Sequence, residues 1–327
     1  MEKISKQFCD SVKSGTNFLI FTHVRPDGDA LGSSFGLRDA LRASGRRADV
    51  MIPCDMPDRY RNFFCGAVTG ISEEEAEHYD RILICDCATF ERVERGNFDF
   101  GKISVPVLNL DHHRGNTTCD AADVSHVVPE ASSTCQLAAE LISECGLPLT
   151  REAATSLLIG MMTDTGNFRF ANTTGNALRC AATLIEAGAE LEKAVNTIYF
   201  SKSMRQRNFE TDLVSNALKF VSNERIAYAY ITDEMLDKHN FSLKEDEGII
   251  DILREIDSVI IAMLIHRKDG AFKLSMRSKD RRFPVGIVAR EFGGGGHDLA
   301  AGATIEAENI EDVLALILPR LEKLLES

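Results

Sequence analysis

Residues 18–44 read FLIFTHVRPDGDALGSSFGLRDALRAS, and this stretch indicates the class of fold. Its first five residues form a short apolar run without polar alternation, which is typical of a strand buried on both faces of a parallel sheet. Residues 30–44 then carry apolar side chains at helical spacing, among them Leu31, Leu37 and Leu41. A buried strand followed directly by a helix predicts the first unit of an α/β domain.

The alternation of strand and helix continues through the first half of the chain. Three further apolar runs predict buried strands: residues 49–52, 81–85 and 105–110. Three later segments have helical spacing: residues 132–145, 151–163 and 177–187. Repeated units of this kind predict a parallel sheet, and we assign residues 1–190 to this N-terminal α/β domain.

The second half of the chain has a different order of elements. Residues 191–222 are predicted to form a helical connector that becomes increasingly polar. Beyond it, strands are predicted at residues 226–232, 258–265, 271–277 and 303–306, helices at 243–256, 285–292 and 308–325, and a glycine loop at 293–296. Asp269-Gly270 is a hairpin turn signal. We therefore predict a smaller C-terminal α/β domain in residues 223–327, with the active site in the cleft between the two domains.

Composition restricts the class of partner. The chain has 327 residues, 44% of them hydrophobic, and a net charge of −13, which argues against coating long duplex nucleic acid. A short anionic substrate held in a local positive pocket is compatible with that charge. The nine cysteines include no CxxC pair, and no apolar run reaches 18 residues. We expect a reduced, cytoplasmic protein that is not bound to a membrane.

Carboxylates and imidazoles follow the predicted strands. Those of the first half are His23, Asp27 and Asp29 after the first strand, Asp86 after the run at 81–85, Asp111, His112 and His113 after the run at 105–110, and Asp164 after a helix. One aspartate after a strand is commonly just a cap or turn residue. Several acids at one sheet edge repel each other unless a cation is bound. The pattern predicts a dinuclear Mn²⁺ or Mg²⁺ site, since the cysteine ligands of structural zinc are missing.

A second group of residues lies near the C-terminus. Residues 293–297 read GGGGH and follow a stretch in which six basic side chains stand against two acidic ones between residues 271 and 297. Glycines let backbone N–H groups approach a phosphate, and arginines bind it in a fork. The alternative to a phosphate-binding site is a flexible loop beside a charged strand that only faces solvent. The motif does not fit GxGxxG after a strand, so a nicotinamide cofactor is not expected.

Five short motifs occur together in a fixed order: HVRPDGDALGSS at 23–34, CD at 85–86, DHH at 111–113, SST at 132–134 and TDTGNF at 163–168. This series resembles the DHH phosphoesterase superfamily. The segment SMRSKDRRFPVGIVAREFGGGGHDLAAGA at 275–303 resembles its type-1 DHH-associated C-terminal domain. The length and the pair of domains are similar to the bacterial oligoribonuclease and pAp-phosphatase branch. Asp298 departs from the small or basic residue expected after GGGGH.

The resemblance implies roles for particular residues. His23, Asp27 and Asp86 would hold one metal ion, and Asp29, Asp86, His112 and Asp164 would hold another, with Asp86 as the bridge. His113 matches the histidine that faces the scissile phosphate, and Asp111 matches a partner that orients a histidine. The matching substrate-binding residues of the C-terminal domain are Arg277, Ser278, Gly294, Gly295, Gly296 and His297.

The activity implied by the resemblance is metal-dependent hydrolysis of oligoribonucleotides of two to five nucleotides to mononucleotides, with pAp and pApA as further substrates. Two divalent ions are expected, with Mn²⁺ preferred over Mg²⁺. The expected partners are therefore short single-stranded RNA, dinucleotides and pAp. The sequence is also compatible with a homodimer.

Four other functions are compatible with parts of the sequence. An inorganic pyrophosphatase shares the metal core but has a different C-terminal domain, without GGGGH. A processive RecJ-type exonuclease carries further nucleic-acid-binding domains. A hydrolase of cyclic or linear dinucleotides is chemically close, although its membrane-anchored forms have extra N-terminal segments. A non-catalytic nucleotide sensor would have lost metal ligands, whereas all six matching positions are filled here.

Overall fold

The computed structural model describes residues 4–53, 56–243 and 248–326. The chain divides into two compact units, Met1–Ser201 and Lys202–Ser327, and each contains one β-sheet flanked by helices. The predicted α/β class, with a parallel N-terminal sheet and a second sheet in the C-terminal half, is confirmed. The division between the units falls inside the stretch 191–222 that the sequence predicts as a connector.

The first unit is built on a five-stranded, entirely parallel sheet. Its strands are β1 (Asn17–Phe21), β2 (Arg47–Val50), β3 (Arg81–Cys85), β4 (Val107–Asp111) and β5 (Val124–Val127), in the spatial order β2-β1-β3-β4-β5. The direction of winding reverses between β1 and β3, because β2 lies on one side of β1 and the later strands lie on the other. In open parallel sheets, ligands bind outside the carboxyl ends of the strands at such a reversal.

Eight α-helices belong to the described part of this unit: α1 (Lys6–Ser14), α2 (Gly28–Ala43), α3 (Asp58–Arg61), α4 (Glu73–Ala76), α5 (Thr134–Cys145), α6 (Arg151–Asp164), α7 (Gly175–Glu186) and α8 (Leu191–Tyr199). Helices α2, α5 and α6 are mostly buried and pack together against one face of the sheet. Glycines permit this close approach. A Cβ atom on Gly32 would lie 2.6 Å from the carbonyl oxygen of Ser156, and one on Gly160 would lie 2.9 Å from that of Gly28.

The variant Gly160→Ala should therefore destabilise the first unit. The added methyl group would lie 2.2 Å from Cys135 Sγ as well as against the backbone of Gly28, so α2, α5 and α6 would have to separate. Overpacking of this kind costs about 1–3 kcal/mol. Urea unfolding measures the loss, with Gly175→Ala as the control, because a methyl group there meets nothing nearer than 3.5 Å. Equal stability of the two variants would contradict this account of the packing.

The second unit is built on a six-stranded mixed sheet. Its strands are β6 (Leu218–Val221), β7 (Ile226–Ile231), β8 (Ile261–Lys268), β9 (Ala271–Ser278), β10 (Gly295–His297) and β11 (Ala300–Ile305), in the order β10-β11-β9-β8-β7-β6. Its helices are α9 (Met204–Asp212), α10 (Asp233–Lys238), α11 (Ile249–Arg254), α12 (Val285–Glu291) and α13 (Ile310–Glu326). Across the described ranges of both units, every helix is too short or too polar to span a membrane.

Two local predictions are wrong, and a third is confirmed only in part. The stretch up to residue 221 is not continuously helical, because β6 pairs with β7. The glycine stretch is not wholly a loop, since Gly295–His297 pairs with β11. The helix predicted over 243–256 is observed only at Ile249–Arg254, and residues 244–247 lie outside the described ranges. A run of glycines carries no side-chain pattern that would predict a strand, because its pairing depends on the partner strand.

Candidate metal centre

The site is assembled at the carboxyl ends of β1, β3 and β4. Asp86 directly follows β3 and has a φ of 56°, a left-handed conformation that is uncommon outside glycine and that recurs at functional sites. Cys85 and Cys87 on either side of it are buried packing residues that belong to two different hydrophobic clusters. The left-handed residue therefore ends the strand and turns the carboxylate of Asp86 to the sheet edge.

The first group of candidate ligands comprises His23, Asp27 and Asp86. His23 Nδ1 lies 2.9 Å from the carbonyl oxygen of Val24, which can only accept, so Nδ1 carries the proton. Nε2 then faces the carboxylates, at 3.9 Å from Asp27 Oδ2 and 3.8 Å from Asp86 Oδ2. Asp27 is also the N-cap of α2, where it accepts the N–H groups of the first turn.

The second group comprises Asp29, His112 and Asp164. His112 Nδ1 lies 3.3 Å from the carbonyl oxygen of Ala131. Its Nε2 faces three carboxylate oxygens at once, at 3.8 Å from Asp29 Oδ2, 3.6 Å from Asp86 Oδ1 and 3.7 Å from Asp164 Oδ2. Asp86 thus presents Oδ1 to this group and Oδ2 to the first group.

These distances fit metal ligands better than hydrogen bonds. Separations of 3.6–3.9 Å exceed hydrogen-bond range, whereas two ligand atoms bound to one small cation lie roughly 3–4 Å apart. Burial raises the pKa of Asp29 well above its ordinary value, and the nearby charges of Asp86 and Asp164 add to the effect. Burial also raises the pKa of Asp86. Bound cations would offset this cost, so the two groups fit divalent metal ions.

Asp29 is held by the start of α5. Its two carboxylate oxygens accept the backbone N–H groups of Thr134 at 2.6 Å and Cys135 at 2.9 Å. The N-terminal end of a helix favours an acceptor of negative charge, because its first N–H groups have no partner within the helix. Asp29 therefore remains fixed even though it lies in the first turn of a different helix, α2.

Asp111 and His113 form a third part of the site. Asp111 is the last residue of β4 and is fully buried, and its Oδ1 lies 2.7 Å from His113 Nδ1. The same carboxylate accepts the backbone N–H groups of His112 and His113 and the side-chain amide of Asn116. Burial opposes ionisation of Asp111, but the hydrogen bond and the charge of His113 outweigh it and lower its pKa. The carboxylate thus fixes which nitrogen of His113 faces outward.

A pH titration of the metal-free protein tests this pair. Burial alone would lower the pKa of His113, but Asp111 and Asp86 outweigh it and raise the pKa from 6.5 to about 10. Protonated His113 should therefore stabilise the fold fully below pH 6.5 for as long as Asp111 stays ionised, and this stability should be lost as the pH rises through about 10. Asp111→Asn should move the titration of His113 back towards 6.5, as measured by NMR of the ring nitrogens. Titration near or below 6.5 in the unmodified protein would contradict the assignment.

Three supporting residues were not identified as functional from the sequence. Thr134 contacts Asp29 and Asp86, Asn116 donates to Asp111, and Asn172 donates to Asp164 Oδ2 at 3.3 Å. Thr134 lies in the SST motif, at the start of the segment 132–145 that is predicted to be helical, which was a usable signal. Asn116 and Asn172 lie in irregular segments, where no periodicity marks a side chain as buried.

The predicted substrate-binding residues all lie in the second unit, and the sheet brings two of them into one row. Arg277 of β9 is paired with Ala300 of β11, and Ala300 is paired with His297 of β10. Directly paired residues of antiparallel strands share a face, so Arg277 and His297 lie on the same face, about 10 Å apart, with only a small alanine between them.

The other residues of that set have structural contacts. Ser278 is buried, and its hydroxyl donates to the carbonyl oxygen of Asp280 at 3.0 Å. Gly294 lies so close to β11 that a Cβ atom would be 2.1 Å from the carbonyl oxygen of Gly302. Gly296 has a φ of 123°, which side chains rarely adopt, and it pairs with β11 as Gly295 does. Gly294 and Gly296 thus allow the strand to lie where side chains would clash.

Together, a parallel sheet with two adjoining groups of carboxylates and imidazoles at its winding reversal defines a metal-dependent hydrolase. The family follows from sequence comparison. The DHH family N-terminal domain matches residues 17–161, and the DHHA1 domain matches residues 223–323. The chain belongs to the DHH family.

Relatives match nearly the whole chain. The bifunctional oligoribonuclease and PAP phosphatase NrnA of Thermus thermophilus is 30% identical over 91% of this chain and 87% of its own length. The protein of the same name from Bacillus subtilis is 28% identical over 88% of each chain. The structure of an exopolyphosphatase-related protein from Bacteroides fragilis covers 100% of both chains, with a TM-score of 0.87 and 24% identity, and it supports the fold.

Proposed function

We propose that this protein is a metal-dependent phosphoesterase that hydrolyses oligoribonucleotides of two to five nucleotides to mononucleotides, and also pAp. The observation that carries the proposal is the position of Asp86, whose two oxygens face His23 in one ligand group and His112 in the other. The relatives named oligoribonuclease and PAP phosphatase support the substrate class. The family model and the filled ligand positions support the reaction class.

The residues of the first unit have separate roles in this proposal. His23, Asp27 and Asp86 would hold one divalent ion, and the others would bind with Asp86 to a second: Asp29, His112 and Asp164. Such ions, when bound, activate the attacking water and neutralise charge on the phosphoryl group. His113, kept protonated by Asp111, would stabilise negative charge or donate a proton to the leaving oxygen.

The second unit would supply substrate binding. Arg277 and His297, in one row of the sheet, would contact the phosphate and the terminal nucleotide, and Gly294, Gly295 and Gly296 would let the substrate approach the backbone beside them. We assign the metal-binding domain to residues 1–190, the connector to 191–222 and the substrate-binding domain to 223–327.

Carboxylate and imidazole ligands favour Mn²⁺ over Mg²⁺ as the working ion. The free thiols among the described residues favour a cytoplasmic location.

A substrate series tests the proposal. Hydrolysis with Mn²⁺ should be compared for RNA of about two, five and twenty-four nucleotides, pAp and pyrophosphate, which separates short substrates from a long strand that binds mainly through its many phosphates. We expect turnover of the short RNAs and pAp, and little of the long RNA, because the chain is acidic overall and the predicted binding stretch at 271–297 is short and has a net positive charge. Preference for pyrophosphate, or no turnover with metal bound, would contradict the proposal.

A further inference from the structure

We propose that Thr134 is a positioning residue that sets the rotation of the Asp86 carboxylate between the two ligand groups, an inference that rests on the proposed function. Thr134 is the first residue of α5 and is fully buried. Its Oγ1 donates to Asp86 Oδ1 at 2.8 Å, and its backbone N–H donates to Asp29 Oδ2 at 2.6 Å. One residue thus contacts both the shared carboxylate and a carboxylate of the second group.

The hydroxyl contact determines which way Asp86 faces. Oδ1, which accepts from Thr134, lies 3.6 Å from His112 Nε2, and Oδ2 lies 3.8 Å from His23 Nε2. Rotation about the last side-chain torsion of Asp86 would turn both oxygens away from these two histidines. That torsion is broad and has only a weak intrinsic preference in aspartate. A donor in a fixed position is therefore needed to keep one oxygen in each group.

The neighbouring histidine nitrogens are too far from Asp86 to hold its carboxylate in this orientation. The nitrogens His112 Nε2 and His113 Nδ1 each lie 3.6 Å from Asp86 Oδ1, beyond hydrogen-bond range. The hydroxyl of Thr134, by contrast, is within normal range. It has one proton, and donating it to Asp86 favours the ionised carboxylate, which is the form that binds a cation.

The adjacent serine explains why this hydroxyl is available. Ser133 is the N-cap of α5, and its Oγ accepts the N–H of Gln136 at 3.1 Å. Capping is therefore performed by one hydroxyl, and the next hydroxyl along the chain is directed to Asp86. Because Thr134 is anchored through its backbone N–H to Asp29, its side chain is held at a fixed distance from both carboxylates. The start of α5 thus orders the shared ligand.

The test compares Thr134→Val, which keeps the shape and removes the donor, with Thr134→Ser, which keeps the donor. Metal-free protein is titrated with Mn²⁺ by calorimetry, and the EPR spectrum reports whether two bound ions are coupled through a shared ligand. For Thr134→Val we expect Mn²⁺ affinity to fall about 10- to 100-fold, as for other residues that orient metal ligands, with loss of the coupled spectrum. Thr134→Ser should restore both. Thr134→Ala, with the same expected result, replaces the valine variant if that variant does not fold.

Thr155→Val is the matched control. Thr155 is also buried in a helix of the first unit and its hydroxyl donates to the carbonyl oxygen of Arg151 at 2.7 Å, but it lies nine residues before Asp164 on α6, roughly 13 Å along the axis. This variant should lose stability but keep both ions. Wild-type Mn²⁺ affinity and a coupled EPR spectrum in folded Thr134→Val would contradict the role of Thr134 but would leave the proposed function standing. Failure of the unmodified protein to bind two ions and hydrolyse short RNA would instead overturn the proposed function.

Discussion

Asp86→Ala should abolish turnover while leaving most of the fold intact. The carboxylate of Asp86 is shared by both ligand groups, so its removal takes one ligand from each at the same time. The loss of activity should be about 1,000-fold or more, because charge stabilisation at the phosphoryl group depends on both ions. The measurement is the rate of hydrolysis of a short RNA, together with the number of Mn²⁺ ions bound per chain.

The backbone at Asp86 requires a second variant. A φ of 56° is strained for alanine, by about 1–2 kcal/mol, whereas asparagine tolerates it. Asp86→Asn therefore keeps the backbone preference and the shape of the side chain, while it removes the charge and replaces one carboxylate oxygen with an NH2 group. Both variants should be inactive, and Asp86→Asn should keep nearly full stability. Retained activity in either folded variant would refute the shared carboxylate.

Arg277→Ala should raise the KM for short RNA without changing metal affinity. Arg277 lies in the second unit, in one row with His297, and belongs to a stretch of concentrated positive charge in an otherwise acidic chain. A hydrogen bond to a charged phosphate contributes about 1.5–3 kcal/mol, which corresponds to a loss of affinity of roughly 10- to 100-fold. His297→Ala should act in the same direction. Steady-state kinetics on a dinucleotide and Mn²⁺ titration measure the two effects separately.

Arg320→Ala is the control for this prediction. Arg320 is an arginine of the same unit that pairs with Glu291 through Glu291 Oε2 at 3.4 Å, and both side chains are exposed. Its loss removes one positive charge from the unit but no residue of the Arg277 row, so KM should change little. If Arg277→Ala lost metal and kept its affinity for RNA, the assignment of metal binding and substrate binding to different domains would be wrong.

The sequence predicts the parallel sheet and the candidate ligand residues because both depend on local signals. Apolar runs without alternation mark β1, β3 and β4, and each is followed directly by the acids that the topology brings to one edge. Strand β5 was missed, since Val124–Val127 has only four residues, with serine and histidine at its centre. Such a strand is defined by its pairing with β4 and not by its own composition.

The parts of the site that could not be predicted depend on contacts distant in sequence. Thr134 meets Asp29 and Asp86 only because α5 packs beside α2 at the sheet edge, and the two contacts span 105 and 48 residues. Likewise, Arg277 and His297 share a row because β11 pairs with both of their strands. No periodicity or motif spacing encodes such pairings, whereas the individual residue types were visible in the motifs.

The most direct test of the metal centre follows activity as the ions are added. Metal-free protein is titrated with Mn²⁺ while the number of ions bound per chain and the hydrolysis of an RNA dinucleotide are recorded on the same sample. We predict that turnover is negligible without metal and rises to its maximum only as the second ion binds, because the ligands form two groups that share Asp86. Full turnover in the presence of a chelator, or with one ion bound per chain, would contradict the account.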